Sequence, residues 1–158
     1  MNALPLPAVP QRRPMRLADL DAVAAIEASA YAFPWSRANF VDALGAGNIA
    51  DVLEADALVG YFIALAGVDE MHLLNITIAP AWQGRGCGTQ LLDAVAAHAR
   101  ARALSRVWLE VRASNERAQA LYRRRGYAAL GRRRGYYPAA IGREDAVLMG
   151  LHLPPEAP

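Results

Sequence analysis

The stretch Gln83-Gly84-Arg85-Gly86-Cys87-Gly88-Thr89 decides how this chain is read. Before it runs the apolar segment Asn75-Ile76-Thr77-Ile78-Ala79, stopped by Pro80. After it, Leu91, Leu92, Val95, Ala96 and Ala99 recur at helical spacing. A loop between a strand and a helix gathers unpaired backbone N–H groups at the positive end of the helix, which makes an anion site. Glycines at 84, 86 and 88 let the backbone curl and approach a phosphate without Cβ interference. On the glycines alone, a plain tight turn fits equally well. A Walker-type phosphate loop does not fit, because it needs a lysine and all 17 basic residues here are arginine. A dinucleotide fingerprint fits poorly, since it needs a parallel sheet from the start and an acidic ribose contact.

Outward from the loop, the pattern predicts a mixed α/β sheet of about seven strands flanked by about four helices. Met15 to Ala18 reads as a short first strand, and Asp19 as the cap of a helix reaching Tyr31, with Leu20, Val23, Ala24 and Glu27 on adjoining turns. Ser36 caps a second helix ending near Gly45. Residues 49–54, 57–66 and 70–79 read as strands joined by tight turns, hence antiparallel. A helix over about 88–102, an alternating strand over 107–112 and a helix over 115–125 follow, then strands at 127–133 and 145–153. The proline-bearing residues 1–14 and 154–158 read as tails around one domain, 15–153.

Composition bounds the function. Just over half the residues are apolar, as in a globular protein, and no apolar run approaches the ~18 residues needed to cross a bilayer. Residues 1–10 lack the basic start of a signal peptide. The lone Cys87 rules out an internal disulfide and suits a reducing cytoplasm. His72, His98 and His152 are scattered without metal-ligand spacing, so no metal is expected. Charge is uneven: 4 Arg face 9 acids in residues 1–79, whereas 13 Arg face 6 acids in residues 80–158. That suits an anionic ligand on the second half and a basic substrate near the first, or simply two parts of one solvated surface.

The order Gln83, Gly86, Gly88 is similar to the Gln/Arg-x-x-Gly-x-Gly/Ala signature of the GCN5-related N-acetyltransferase (GNAT) family. Around it stand "AFPWS" (32–36), "LLNITIAP" (73–80), "LEVRASN" (109–115), "ALY" (120–122), "YYP" (136–138) and "GREDA" (142–146). Together they resemble the RimI-type subgroup, bacterial enzymes that acetylate the amino-terminal alanine of a small-subunit ribosomal protein. The resemblance spans about Met15 to Leu153. It implies acetyl-CoA as cosubstrate. The pantetheine arm would lie along Ile76, Thr77 and Ile78, the pyrophosphate on the backbone of Gly84, Arg85, Gly86, Cys87, Gly88 and Thr89, and Asn115 would touch the cofactor. Cys87 departs from a usually apolar position, and with no partner His in the motif it reads as a small buried filler.

Acetylating an α-amine requires a base, because an amine of pKa near 8 is mostly protonated at neutral pH, and a weak acid to protonate the leaving thiolate. The resemblance implies Glu110 as that base and Tyr122 as that acid, with direct attack in a ternary complex. Without it, Glu110 reads as a strand carboxylate paired with Arg112, and Tyr122 as core. The resemblance implies that Phe33, Trp35, Tyr136 and Tyr137, at loop-like positions, form a narrow entrance for a peptide terminus; taken singly they read equally well as ordinary loop packing. Asn75, on the strand before the loop, is a candidate for a further substrate contact. Arg123–Arg125 and Arg132–Arg134 could meet phosphate or RNA, but without a stacking pattern they read as solvated, and no stable nucleic-acid partner is expected. Two rival readings remain: an acetyltransferase of small amines or of a broader set of protein termini, and a non-catalytic acyl-CoA-binding or RNA-associated module.

Overall fold

The computed structural model describes residues 9–155. A seven-stranded sheet has the order β1-β2-β3-β4-β5-β7-β6. Its strands are β1 (Gln11–Pro14), β2 (Ile49–Glu54), β3 (Leu58–Ala66), β4 (Glu70–Ile78), β5 (Arg106–Arg112), β6 (Ala128–Pro138) and β7 (Arg143–His152). Every neighbouring pair is antiparallel except β4–β5. Helices α1 (Leu20–Ala30) and α2 (Arg37–Gly45) cover one face, α3 (Cys87–Ala101) and α4 (Glu116–Arg124) the other. Strand alternation feeds both cores. On β3, Phe62 joins the core under α3, while Tyr61 and Ile63 join the core under α1 and α2.

The mixed sheet and its four helices are as the pattern predicts, with two local corrections. The first strand is Gln11–Pro14, inside the stretch read as a tail, rather than Met15–Ala18. Pro14 is tolerated because β1 is an edge strand. Its arginines hold it down: Arg12 pairs with Asp51 at 2.7 Å, and Arg13 grips Asp19 with both Nη atoms at 2.8 Å. Asp19 therefore does not cap α1 with its side chain, but binds Arg13 and the Arg16 N–H, and Arg13 holds its carboxyl below the ordinary range. Residues 1–8 and 156–158 of the expected tails lie outside the described residues.

The second correction is at the far edge. β6 and β7 form a longer hairpin than the pattern suggests, so Tyr136 and Tyr137 sit on a strand rather than a loop. Register shifts at Ala129/Gly131 and Arg133/Tyr137 break the alternation that would have revealed it. Ser36, by contrast, caps α2 as expected, reciprocally with Asn39.

Two irregularities of β4 create the site. Its parallel pairing with β5 ends at Leu73↔Leu109, after which β4 continues beside β3 alone and β5 beside β7. The strands thus part, leaving one edge of residues 74–78 unpaired. At the parting, β4 also bulges against β3: Asn75 pairs with Ile63 and Leu73 with Ala64, so Leu74 is the extra residue. The bulge shifts the alternation by one. Met71 and Leu73 face α3, while Leu74, Asn75 and Thr77 turn toward α1 and Ile76 and Ile78 return to the α3 side.

Candidate active site

Two cavities open where β4 and β5 part. The first, about 500 Å³, is lined by Ile76, Thr77 and Ile78 on β4, by the glycine loop and by one side of α4. The loop is built to receive an anion. Gln83 N–H bonds Pro80 O and Gln90 N–H bonds Gly86 O, but no backbone N–H from 84 to 89 has a hydrogen-bond partner among the described residues. Gly86, at φ +84°, is the N-cap of α3 in a left-handed conformation that a side chain would strain. Gly88 serves packing instead: a Cβ there would lie 2.7 Å from Leu121 Cδ2. The Gln83 amide ties the loop to the end of β4, donating to Ile78 O at 3.2 Å.

Of the expected cofactor contacts, Ile76, Thr77, Ile78, Gly84, Gly86, Gly88, Thr89 and Asn115 line this cavity. Arg85 and Cys87 do not. Arg85 lies over the Trp82 ring at 4.9 Å, and the positive charge in the lining comes from Arg117 and Arg124. Cys87 is buried in the core, where desolvation raises its thiol above the ordinary value. Cys87→Ala is accordingly expected to keep wild-type turnover and to cost about 1 kcal/mol of stability. Thiol titration of the folded protein, slow relative to the unfolded chain, checks the burial. Asn115 caps α4 by accepting from Ala118 N at 3.1 Å, which leaves its amide N–H groups for a ligand.

The second cavity, about 260 Å³, lies between the α1–α2 loop and the β6–β7 hairpin. Phe33, Trp35, Asn75 and Tyr137 line it, together with Glu110, Arg112 and Pro138. Tyr136 stands beside it, T-stacked on Tyr137 at 4.8 Å. Arg112 pins its walls. Its guanidinium sits 4.5 Å over the Tyr137 ring and 5.3 Å over Phe33, and donates to Pro138 O and to Glu144 at 2.7 and 2.8 Å. Arg112 therefore pairs with Glu144, not with Glu110, and lowers the Glu144 carboxyl.

Glu110 projects from the middle of β5, its side chain 7% exposed. His72 Nε2 lies 3.5 Å from its carboxylate and Arg133 4.0 Å. His72 is stacked on Trp108 at 3.7 Å, and burial lowers its pKa from an ordinary 6.5, so it is neutral at pH 7. Tyr136 is raised, chiefly by its approach to the Glu110 carboxylate. Tyr122, on the inward face of α4, is 7% exposed, and burial raises its phenol well above the ordinary value. Its hydroxyl has no hydrogen-bond partner among the described residues, yet the residue lines both cavities. Tyr31, Ile76 and Asn115 do so too. The cavities meet at these four residues.

A GNAT-family model, described as "Acetyltransferase (GNAT) family", matches residues 20–127, more than half of the chain. The chain belongs to the GNAT acetyltransferase family. Among its relatives, the [ribosomal protein bS18]-alanine N-acetyltransferase of Salmonella typhimurium is 41% identical over 134 residues, covering 84% of this chain and 90% of the relative. This GNAT protein also superposes on the crystal structure of the Escherichia coli ribosomal-protein-S18-alanine N-acetyltransferase with a TM-score of 0.87, at 35% identity and with 95% and 97% of the two chains covered. Arabidopsis thaliana Naa50, in complex with the bisubstrate analogue CoA-Ac-MVNAL, shares the fold alone: TM-score 0.80, 18% identity, 91% and 99% coverage. As a GNAT acetyltransferase the chain is an enzyme that uses acetyl-CoA.

Among the residues of this GNAT site that escape the sequence reading are Glu27, Tyr31, Arg112 and Arg117. The Tyr31 hydroxyl donates toward both Thr77 Oγ1 at 2.8 Å and Ile76 O at 3.1 Å, and its phenol is pushed up to about 12, chiefly by burial. Only Glu27 left a signal, an acid on the same helical stripe as Leu20 and Val23.

Proposed function

We propose that this enzyme transfers the acetyl group of acetyl-CoA to the amino-terminal alanine of ribosomal protein bS18, by direct attack in a ternary complex. The observation that carries the reading is the pair of cavities meeting at Tyr31, Ile76, Asn115 and Tyr122. The first cavity would hold the cosubstrate, with the unpaired N–H groups of 84–89 on its pyrophosphate and the open edge of β4 along its pantetheine arm. Arg117 and Arg124 supply charge of the right sign. The second would admit a peptide's first residue between Phe33, Trp35 and Tyr137, with Tyr136 at its margin and Asn75 in its wall. Its small volume and aromatic lining suit a short side chain. Glu110 would take a proton from the entering ammonium and Tyr122 would stabilise the departing thiolate. The relatives' named substrate supports the choice of acceptor. No helix among the described residues is long and apolar enough to cross a membrane.

Thioester consumption with synthetic peptides that differ only in their first residue tests this. A peptide carrying the bS18 amino terminus and beginning with Ala is expected to release CoA at the highest kcat/KM, while bulky first residues are turned over slowly. Spermidine and an aminoglycoside run alongside. Turnover of these with none of the peptides would select the small-amine reading, and CoA binding with no release from any acceptor would select the non-catalytic one.

A further inference from the structure

Glu27 is 2% exposed, at the last turn of α1, and lines the second cavity. A carboxylate this deep is costly unless its lone pairs are met. Here they are. Oε1 accepts from Tyr61 Oη at 2.7 Å and from Asn75 Nδ2 at 3.0 Å, with Thr77 Oγ1 further off at 3.5 Å, while Oε2 accepts from Trp35 N–H at 2.9 Å. All of these partners are neutral, so the carboxylate is not half of an ion pair that merely ties the fold. What it joins is informative. The Trp35 N–H bond is the only backbone hydrogen bond of residues 32–35 among the described residues, so the backbone of the loop that carries Phe33 and Trp35 is tied by Oε2. Oε1 holds the strand segment just beyond the β4 bulge, where Asn75 in turn accepts from Thr77 at 2.8 Å. The two oxygens of one carboxylate therefore set opposite walls of the same cavity.

We propose that Glu27 is a positioning residue for the acceptor: its buried carboxylate spaces the Phe33–Trp35 loop from the bulged strand at Asn75, and so shapes the cavity that receives the amino terminus. The inference rests on the reading of the second cavity as the acceptor's. The first cavity meets this network at Thr77, 3.5 Å from Oε1, whereas its glycine loop is held by Gln83 and α3. An effect confined to one substrate follows. Tyr61 offers a second handle, since it is fully buried, lines neither cavity and donates directly to Glu27.

The experiment measures kcat and the separate KM values for the bS18-type peptide and for acetyl-CoA in wild type, Glu27→Gln and Tyr61→Phe. In Glu27→Gln one donor must face an amide N–H, and the acceptor KM is expected to rise on the order of tenfold, the scale of one charge-assisted hydrogen bond. Tyr61→Phe moves it in the same direction by less, and the KM for acetyl-CoA stays within about twofold in both. A folded Glu27→Gln enzyme with an unmoved acceptor KM, or with both KM values raised alike, would overturn the proposal. Should that variant not fold, Tyr61→Phe decides on the same criteria. Wild-type turnover of the peptide separates the two levels: its absence sinks the acceptor reading itself, whereas turnover with unmoved variants sinks only the role of Glu27.

Discussion

Glu110→Gln is expected to lower kcat/KM for the peptide acceptor at pH 7 by about a hundredfold or more, the usual contribution of a positioned general base. The amide preserves shape and can keep company with His72 and Arg133, so the loss is one of proton affinity rather than of packing. The pH dependence distinguishes the two. An α-ammonium has a pKa near 8, so about a tenth of the acceptor is free amine at pH 7 and about nine-tenths at pH 9. With its base gone, the variant depends on that free fraction, and its rate climbs with pH by about tenfold over the interval. Wild type, whose carboxylate would remove the proton within the complex, is expected to climb less. The deficit should therefore shrink as pH rises. His72 is not expected to substitute for the missing base, since it stacks on Trp108 and lines neither cavity. Initial rates of CoA release from pH 6.5 to 9.5, with acetyl-CoA saturating, check the prediction. A variant whose deficit is the same at every pH would remove Glu110 from proton transfer.

The parts of this site that were legible in the sequence share one property: their signal is local. The glycine loop, the cap Ser36, the helix starting near Asn115 and the alternation of β5 each lie within a few residues, and the structure has them where the pattern puts them. What was hidden depends on partners far along the chain. Arg112 was read against its neighbour Glu110, two residues away, but its real partner Glu144 is 32 residues distant, reached only because β5 pairs with β7. The β4 bulge has no glycine or proline to announce it, yet it decides that Asn75 and Thr77 face Glu27. Tyr136 and Tyr137 looked like a loop because two register shifts erase the period of their strand. At β1, local reading failed for the opposite reason: Pro10 and Pro14 suggested a tail, and the arginines that fasten the strand answer to Asp51, Asp19 and Glu54. Helix and turn chemistry is written nearby in sequence, whereas the walls of a cleft between separating strands are not.

Tyr122→Phe is expected to lower kcat by about ten- to a hundredfold, with KM for both substrates within about threefold. The ring stays, and the ring is what packs: Tyr122 rests 5.8 Å from Tyr127 and borders both cavities, so the phenylalanine fills the same space. Only the hydroxyl goes, and its lack of a partner among the described residues argues that its partner arrives with the substrate. Burial raises the phenol, which fixes the sign of its pH dependence. A group raised above its ordinary value of about 10 stays protonated through the whole working range, so wild type should show no alkaline loss traceable to Tyr122 up to pH 9.5. The same apolar surroundings disfavour a bare thiolate, whose parent thiol has an ordinary pKa near 8.5, and that is why a neutral donor helps there. Removing it slows departure of the sulfur at every pH alike, so the Tyr122→Phe profile should run parallel to wild type, unlike that of Glu110→Gln. On the proposed roles both groups serve the same transfer, so the double variant should lose less than the product of the single losses. Strict multiplicativity, or a Tyr122→Phe enzyme with wild-type kcat, would return Tyr122 to the core.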